Sequence, residues 1–202
     1  MWKTIKTVAP KALVFMLIMT LICGLVYPLV VTGISQIAFP KQANGSMIEV
    51  NGVAYGSELL AQDFTGAEYL HGRIMNVNAE TFADDDGNPL LFAGPTNLSP
   101  ADENFDALMA ERVNMIREEN PQMGDTPIPV DLVTSSGSGL DPAISPAGAE
   151  YQVKRIAGAR GLSEQQVRDV IANNTQGRFL GIFGEPTVNV LKVNLELDGI
   201  LQ

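Results

Sequence analysis

The chain has 202 residues, 46% of them hydrophobic, with a formal net charge of −10 and a pI near 4.5. That length suits one domain of ordinary size plus an appendage. So acidic a chain is a poor partner for nucleic acid or an anionic lipid surface, and its one cysteine, Cys23, leaves no intrachain disulfide to form.

Lys3, Lys6 and Lys11 come first, with no acid among them, so residues 1–11 read as a cytoplasmic N-terminus by the positive-inside rule. From Ala12 to Phe39 (ALVFMLIMTLICGLVYPLVVTGISQIAF) no side chain is charged. At ~1.5 Å per residue this run exceeds the ~30 Å hydrocarbon core of a bilayer. A buried helix of that length without a polar face would be out of place in so small a protein. Residues 12–39 are therefore predicted to be a transmembrane helix. No A-x-A cleavage pattern follows it, and Ile22 stands where a lipoprotein anchor needs a small residue before Cys23. Pro28 removes a backbone donor, which predicts a kink or a helix end near Tyr27. Three of the 13 basic residues precede the span and all 23 acids follow it, which leaves the external part near −13. Such a surface enriches cations weakly and without selectivity.

Residues 40–46 (PKQANGS) read as a polar linker, and 47–202 as an extracytoplasmic α+β domain with about three helices and a small mixed sheet with hairpins. MIEVNGVAYGSELL predicts a hairpin turning at Asn51-Gly52. QDFTGAEYLHGRIMN reads as mostly irregular, with Phe64 and Tyr69 available for packing. ADDDGNPLLFAGPTN reads as loop, and its acidic run Asp84–Asp86 as a solvated bulge, since it lacks the alternate ligand spacing of an EF-hand. Ser99 as N-cap and Pro100 at the first helical position predict a helix ending at Pro121, with Phe105, Leu108, Met109, Val113 and Ile116 on its inner face. PVDLVTSS reads as a short extended segment.

The loop TSSGSGLDPAI (134–144) leads to Ser145-Pro146, a second cap-then-proline signature. The helix it opens carries Tyr151, Val153, Ile156 and Ala157 inward and stops at Gly161. Ser163 and Gln166 form a capping box for a further helix, with Val167, Val170 and Ile171 inward and Gly177 as its terminator. In VNVLKVNLELD the apolar residues Leu191, Val193, Leu195 and Leu197 alternate with Lys192, Asn194, Glu196 and Asp198, which predicts a half-buried strand.

Three chemistries fit serines set between glycines. A hydrolase could use Ser138 with Asp141 and His71, the sole histidine, if the fold joined them, although the G-x-S-x-G elbow is absent. A phosphate cradle lacks the Walker lysine, and LSEQQ (162–166) resembles an ABC-type signature without its middle glycines. A tight turn explains the glycines, Asp141-Pro142 and the Ser145 cap. A single histidine and no external cysteine argue against zinc.

TSSGSGLDPAISPAGAEYQVKRIAGARGL, GSELLAQDF, YLHGRIMN, GPTNLSP, LGIFGEPTVNVLKVNLELDGIL and the YPLVVTGISQIAFP end of the span together resemble the C chain of the potassium-transporting P-type ATPase, the Kdp complex. The likeness runs in order along nearly the whole chain. It departs at Ile74, where the family commonly has proline, and in the stretch around Asp84–Asp86. The resemblance implies a bacterial inner-membrane, single-pass subunit of a potassium-uptake pump. Its implied partners are a channel-like subunit holding the selectivity filter, a P-type ATPase subunit carrying the phosphorylated aspartate, and a small hydrophobic subunit. ATP, magnesium and potassium are then handled by those partners, with no cofactor expected on this chain. An aid to ATP binding is the alternative role proposed for the family. The residues expected to contact a partner are Ser138, Gly139, Leu140, Asp141 and Pro142, with Asn189 and Asn194 as further candidates.

Overall fold

The computed structural model describes residues 2–84 and 86–201; Asp85, in the middle of the acidic run, lies outside them. The chain divides into two compact units, 1–47 and 48–202.

The first unit is helical. α1 (Trp2–Leu21) passes through a π-helical turn (Ile22–Val26) into α2 (Tyr27–Ala38). Within this run Thr4–Ala38 is 35 residues with a mean hydropathy of 2.6 in its most apolar window, long and apolar enough to cross a membrane. Pro28 does not end the helix. The irregularity sits one turn earlier, where the Tyr27 amide reaches back five residues to the Ile22 carbonyl. Widening that turn eases the proline ring past the carbonyl four residues before it. The expected linker holds a further short helix, α3 (Pro40–Ala43), followed by a turn closed by the Ser46 amide on the Lys41 carbonyl at 2.9 Å.

The second unit is α+β, with two hairpins and one small sheet. β1 (Met47–Val50) and β2 (Val53–Ser57) pair through Asn51 and Gly52, both at positive φ, the turn whose twist matches the strands it joins. β3 (Val77–Ala83) and β4 (Pro89–Ala93) form a second, antiparallel hairpin with a register shift between Asn78 and Phe82. The stretch expected as loop is thus partly strand, and Asp84 organises the turn between its strands: its Oδ1 accepts from the amides of Asp86 and Asn88 at 3.0 and 2.8 Å.

α4 (Phe105–Glu119) begins five residues later than expected. Ser99 and Asp102 do cap, but they close local turns, on the amides of Ala101 and Asn104. Its inner face is as predicted, with Ile116 buried. Residues 129–136, expected extended, contain a 3₁₀ turn at Val130–Leu132. β5 (Ala143–Ile144) precedes α5 (Pro146–Arg160), whose Ser145 cap accepts from the Gly148 amide at 2.9 Å. α6 (Glu164–Asn173) has the full Ser163–Gln166 capping box but stops four residues before Gly177. β6 (Thr175–Gln176) and β7 (Thr187–Asn189) complete an antiparallel sheet of order β5-β7-β6.

The final segment corrects the sequence reading. Val190–Leu197 is a helix, α7, not a strand. Asn189 caps it by accepting from the Lys192 amide at 3.0 Å. Val190, Leu191, Val193, Asn194 and Leu195 are all buried, which no strand with one wet face allows; Lys192 and Glu196 form the outer face at helical spacing. Among the described residues the second unit therefore has four α-helices where about three were expected, and its sheets are separate small ones. α5 and α7 carry the core: Val153, Ile156 and Val193 meet Leu70, Leu132 and Val188, while Leu191 and Leu195 cover Ile48.

Candidate functional site

The 134–145 loop is tied to the rest of the domain by Arg73. Its guanidinium donates to Asp141 Oδ2 at 3.2 Å, Thr134 Oγ1 at 3.2 Å and the Ser135 carbonyl at 3.0 Å. Inside the loop the Ser136 and Ser138 hydroxyls lie 3.2 Å apart. Ser136 Oγ accepts from the Gly139 amide at 3.0 Å, and Ser138 Oγ from the Leu140 amide at 3.2 Å. Asp141 Oδ1 accepts from the Ala143 amide at 3.1 Å, starting the turn that Pro142 continues. The carbonyls of Gly139, Leu140 and Pro142 accept from Asn76, Ala61 and Val190 respectively. Three different segments are thus pinned against four consecutive residues, 139–142.

These contacts decide between the chemistries. Ser138 is exposed, but its hydroxyl is committed to a turn. His71 Nδ1 faces Glu119 Oε2 at 3.1 Å and Nε2 faces the Gly66 carbonyl at 2.9 Å. Asp141 is paired with Arg73. No hydrogen bond joins Ser138, His71 and Asp141 among the described residues, so a nucleophile, base and orienter are not assembled. A phosphate cradle needs free amides at a helix start. Here the Gly139 and Leu140 amides are used, and the start of α5 already faces a carboxylate: Asp131 Oδ2 accepts from the Ser145 amide at 2.6 Å. A phosphate would meet that charge as repulsion. Among the described residues no group of three or more His, Cys, Asp or Glu is placed to hold a metal ion.

The remaining candidates are the N-cap of α7, Asn189, and Asn194 within it. Asn189 donates its Nδ2 to the Glu58 carbonyl at 2.8 Å, and with Pro142, Glu58 and Lys192 it lines a polar cleft of about 580 Å³. Asn194 is 1% exposed and faces inward: it accepts from the Leu70 amide at 2.7 Å and donates to the Leu70 carbonyl at 2.9 Å. The structure thus brings Pro142 and Asn189 to one surface and puts Asn194 in the core.

Sequence reasoning missed the polar clamp around residues 66–71. Arg155 on α5 donates to the carbonyls of Ala67 at 2.6 Å and Tyr69 at 3.0 Å, to Asn120 Oδ1 at 3.1 Å and to Gln152 Oε1 at 2.6 Å. Gln152 brackets His71, accepting from its amide and donating to its carbonyl. Arg160 donates to the Glu68 carbonyl at 2.6 Å and lies 5.1 Å over the Tyr69 ring. Polar residues recurring on an otherwise apolar helix face (Gln152, Arg155) were the available signal. Burial works against the Arg155 charge, offset in part by Glu119 and Glu68.

The His71 ring bonded to Glu119 holds that carboxyl below its ordinary value of 4.5, against the opposing pull of desolvation. A depressed carboxylate pKa adds stability above the ordinary value and loses it as pH falls through the folded one. Domain stability is therefore expected to drop as pH falls below the ordinary carboxylate value and through the lower folded one, and Glu119→Gln to flatten that drop. Denaturant midpoints measured across the range check this; an unchanged slope in the variant would refute the linkage.

Fold and site together define a class: a small α+β domain, without an assembled catalytic centre among the described residues, on a chain that begins with one membrane-length apolar helix. Comparison with known sequences narrows this. A family described as "KdpC: K+-transporting ATPase, c chain" matches residues 9–199, and the chain belongs to that family. It is 57% identical over 192 residues to the "Potassium-transporting ATPase KdpC subunit" of Clostridium perfringens, covering 95% of this chain and 97% of that one. The proteins of that name in Clostridium botulinum (strain Eklund 17B) and Clostridioides difficile (strain 630) are 53% identical over 99% of this chain and all of theirs, and 44% identical over 97% and 98%.

Proposed function

We propose that this chain is a non-catalytic accessory subunit of an ATP-driven potassium uptake pump. Its N-terminus is cytoplasmic, and residues 48–202 stand outside the bacterial inner membrane. There they rest on a channel-like subunit, stabilise the assembly and steady the potassium entrance. The catalytic P-type subunit and a small hydrophobic subunit complete the complex, and ATP, magnesium and potassium are handled by those partners. One observation supports this above others: Ser136, Ser138 and Asp141, the polar side chains of the motif loop, are spent on turns and on Arg73. A loop spent in this way serves as a shaped surface and leaves no nucleophile. The acidic exterior adds a cation bias screened over ~8 Å at physiological salt, and selection is left to a carbonyl filter in the partner.

Purification of the full chain from membranes in mild detergent tests the reading. Larger membrane proteins are expected to come with it, and potassium-stimulated ATP hydrolysis to require it. Ser138→Ala is expected to leave that hydrolysis standing and to cost the chain only about 1 kcal/mol, the scale of one turn hydrogen bond. A chain that emerges alone, or an isolated chain whose own hydrolase activity vanishes in Ser138→Ala, would overturn it.

A further inference from the structure

Between β6 and β7 the chain forms a narrow turn whose tip is apolar and bare. Phe179, Leu180, Ile182 and Phe183 are 69%, 73%, 73% and 61% exposed. The turn is not slack. The Phe179 and Phe183 backbones exchange hydrogen bonds of 2.8 and 2.9 Å, and the Gly181 and Ile182 amides reach Arg178 and Phe179 carbonyls. At its base Arg178 and Glu185 form an ion pair of 2.6 Å. Leu180 is held at φ 55, a conformation that costs a non-glycine residue energy and marks a fixed shape.

We propose that this knob seats in an uncharged, apolar pocket on the extracytoplasmic face of a larger membrane subunit of the pump. The proposal rests on the accessory-subunit reading above. Four large apolar side chains grouped on an acidic domain mark an interaction site, and a turn already fixed in shape loses little freedom on docking. Lipid is the wrong occupant by chemistry. A tip that enters the membrane interface carries Trp or Tyr and free Lys or Arg. This one has neither aromatic type, its single arginine is paired, and the domain around it is acidic. A second copy would bring one strongly acidic domain against another.

The test uses the full chain with Cys23→Ser and Ile182→Cys, labelled by a charged, membrane-impermeant maleimide. The thiol is expected to react quickly in the chain alone and slowly in the assembled complex. Phe179→Ser with Phe183→Ser is expected to weaken retention of the larger subunit at least ~30-fold while leaving the thermal midpoint of the chain unchanged, since both rings face solvent. Equal labelling with and without the partner refutes the proposal. Protection of the chain alone in lipid vesicles refutes it in favour of lipid, and concentration-dependent protection of the chain alone refutes it in favour of self-association. If nothing larger co-purifies with the unaltered chain, the accessory-subunit reading has failed; if it does and the thiol stays reactive, only the knob assignment has.

Discussion

Gly139→Ala is expected to destabilise the chain by about 3 kcal/mol or more, a large effect for one methyl group. Gly139 sits at φ 73, where a side chain is strained whatever the space. Here there is no space either. A Cβ would stand 2.6 Å from the Gly94 carbonyl oxygen, 2.7 Å from that of Asn76 and 2.8 Å from the Gly94 nitrogen. All three are backbone atoms of the β3–β4 hairpin's two ends, and none can rotate away. The Asn76 amide donates to the Gly139 carbonyl at 3.0 Å, so relief by withdrawal breaks that bond as well. Gly137, two residues earlier, is the control: nothing lies within 4 Å of its would-be Cβ, and its φ is not in the left-handed region. Gly137→Ala is expected to fall within about 0.5 kcal/mol of the unaltered chain. Urea midpoints of the two variants read the difference, and coincident midpoints would show that the loop is not pressed against the hairpin as described.

Arg155→Leu is expected to cost about 3–5 kcal/mol, because it strips donors from several buried acceptors at once. The Ala67 and Tyr69 carbonyls, Asn120 Oδ1 and Gln152 Oε1 all take hydrogen bonds from this one guanidinium. Arg155→Lys keeps the charge but not the fork, and is expected to restore only part of the loss. Gln152→Ala combined with Arg155→Leu is expected to cost less than the two added, since Gln152 Oε1 is shared between Arg155 and the His71 amide. Thermal unfolding of the purified chain measures each. An Arg155→Leu chain as stable as the parent would mean that water satisfies these carbonyls equally well.

Local signals were read correctly wherever the chain's own neighbours decide the structure. The Asn51-Gly52 turn, the Ser145 cap and the Ser163–Gln166 box each depend on residues within three positions of one another, and each formed. The apolar span is legible for the same reason: length and the lack of charge are local properties. What failed depended on distant partners. Alternation in VNVLKVNLELD looks like a strand until Asn194 is known to be buried on Leu70, 124 residues away, which turns a polar position into an inner one. Ser99-Pro100 carries a genuine cap, but Asp102 offers a second one and the helix begins after both. The β3–β4 hairpin hid behind an acidic run because Asp84, through its bonds to Asp86 and Asn88, serves as turn former. Arg73 stood in a quoted motif, yet nothing in its neighbourhood names Asp141 or Thr134 as its targets. Of the residues singled out for contact, Pro142 and Asn189 do share a surface cleft. Asn194 could be separated from them only by knowing which way α7 faces.

The Asn194–Leu70 bracket also sets a timetable. The amide and carbonyl of Leu70 leave the ribosome 124 residues before the side chain that satisfies them. At ~5–20 residues per second that is a wait of about 6–25 s, most of the time taken to synthesise the chain. The second unit thus completes its core only after its last helix has been made. Chains interrupted before α7 leave the Leu70 amide and carbonyl without Asn194, while Arg155 and Gln152 on α5 still hold the residues on either side of it.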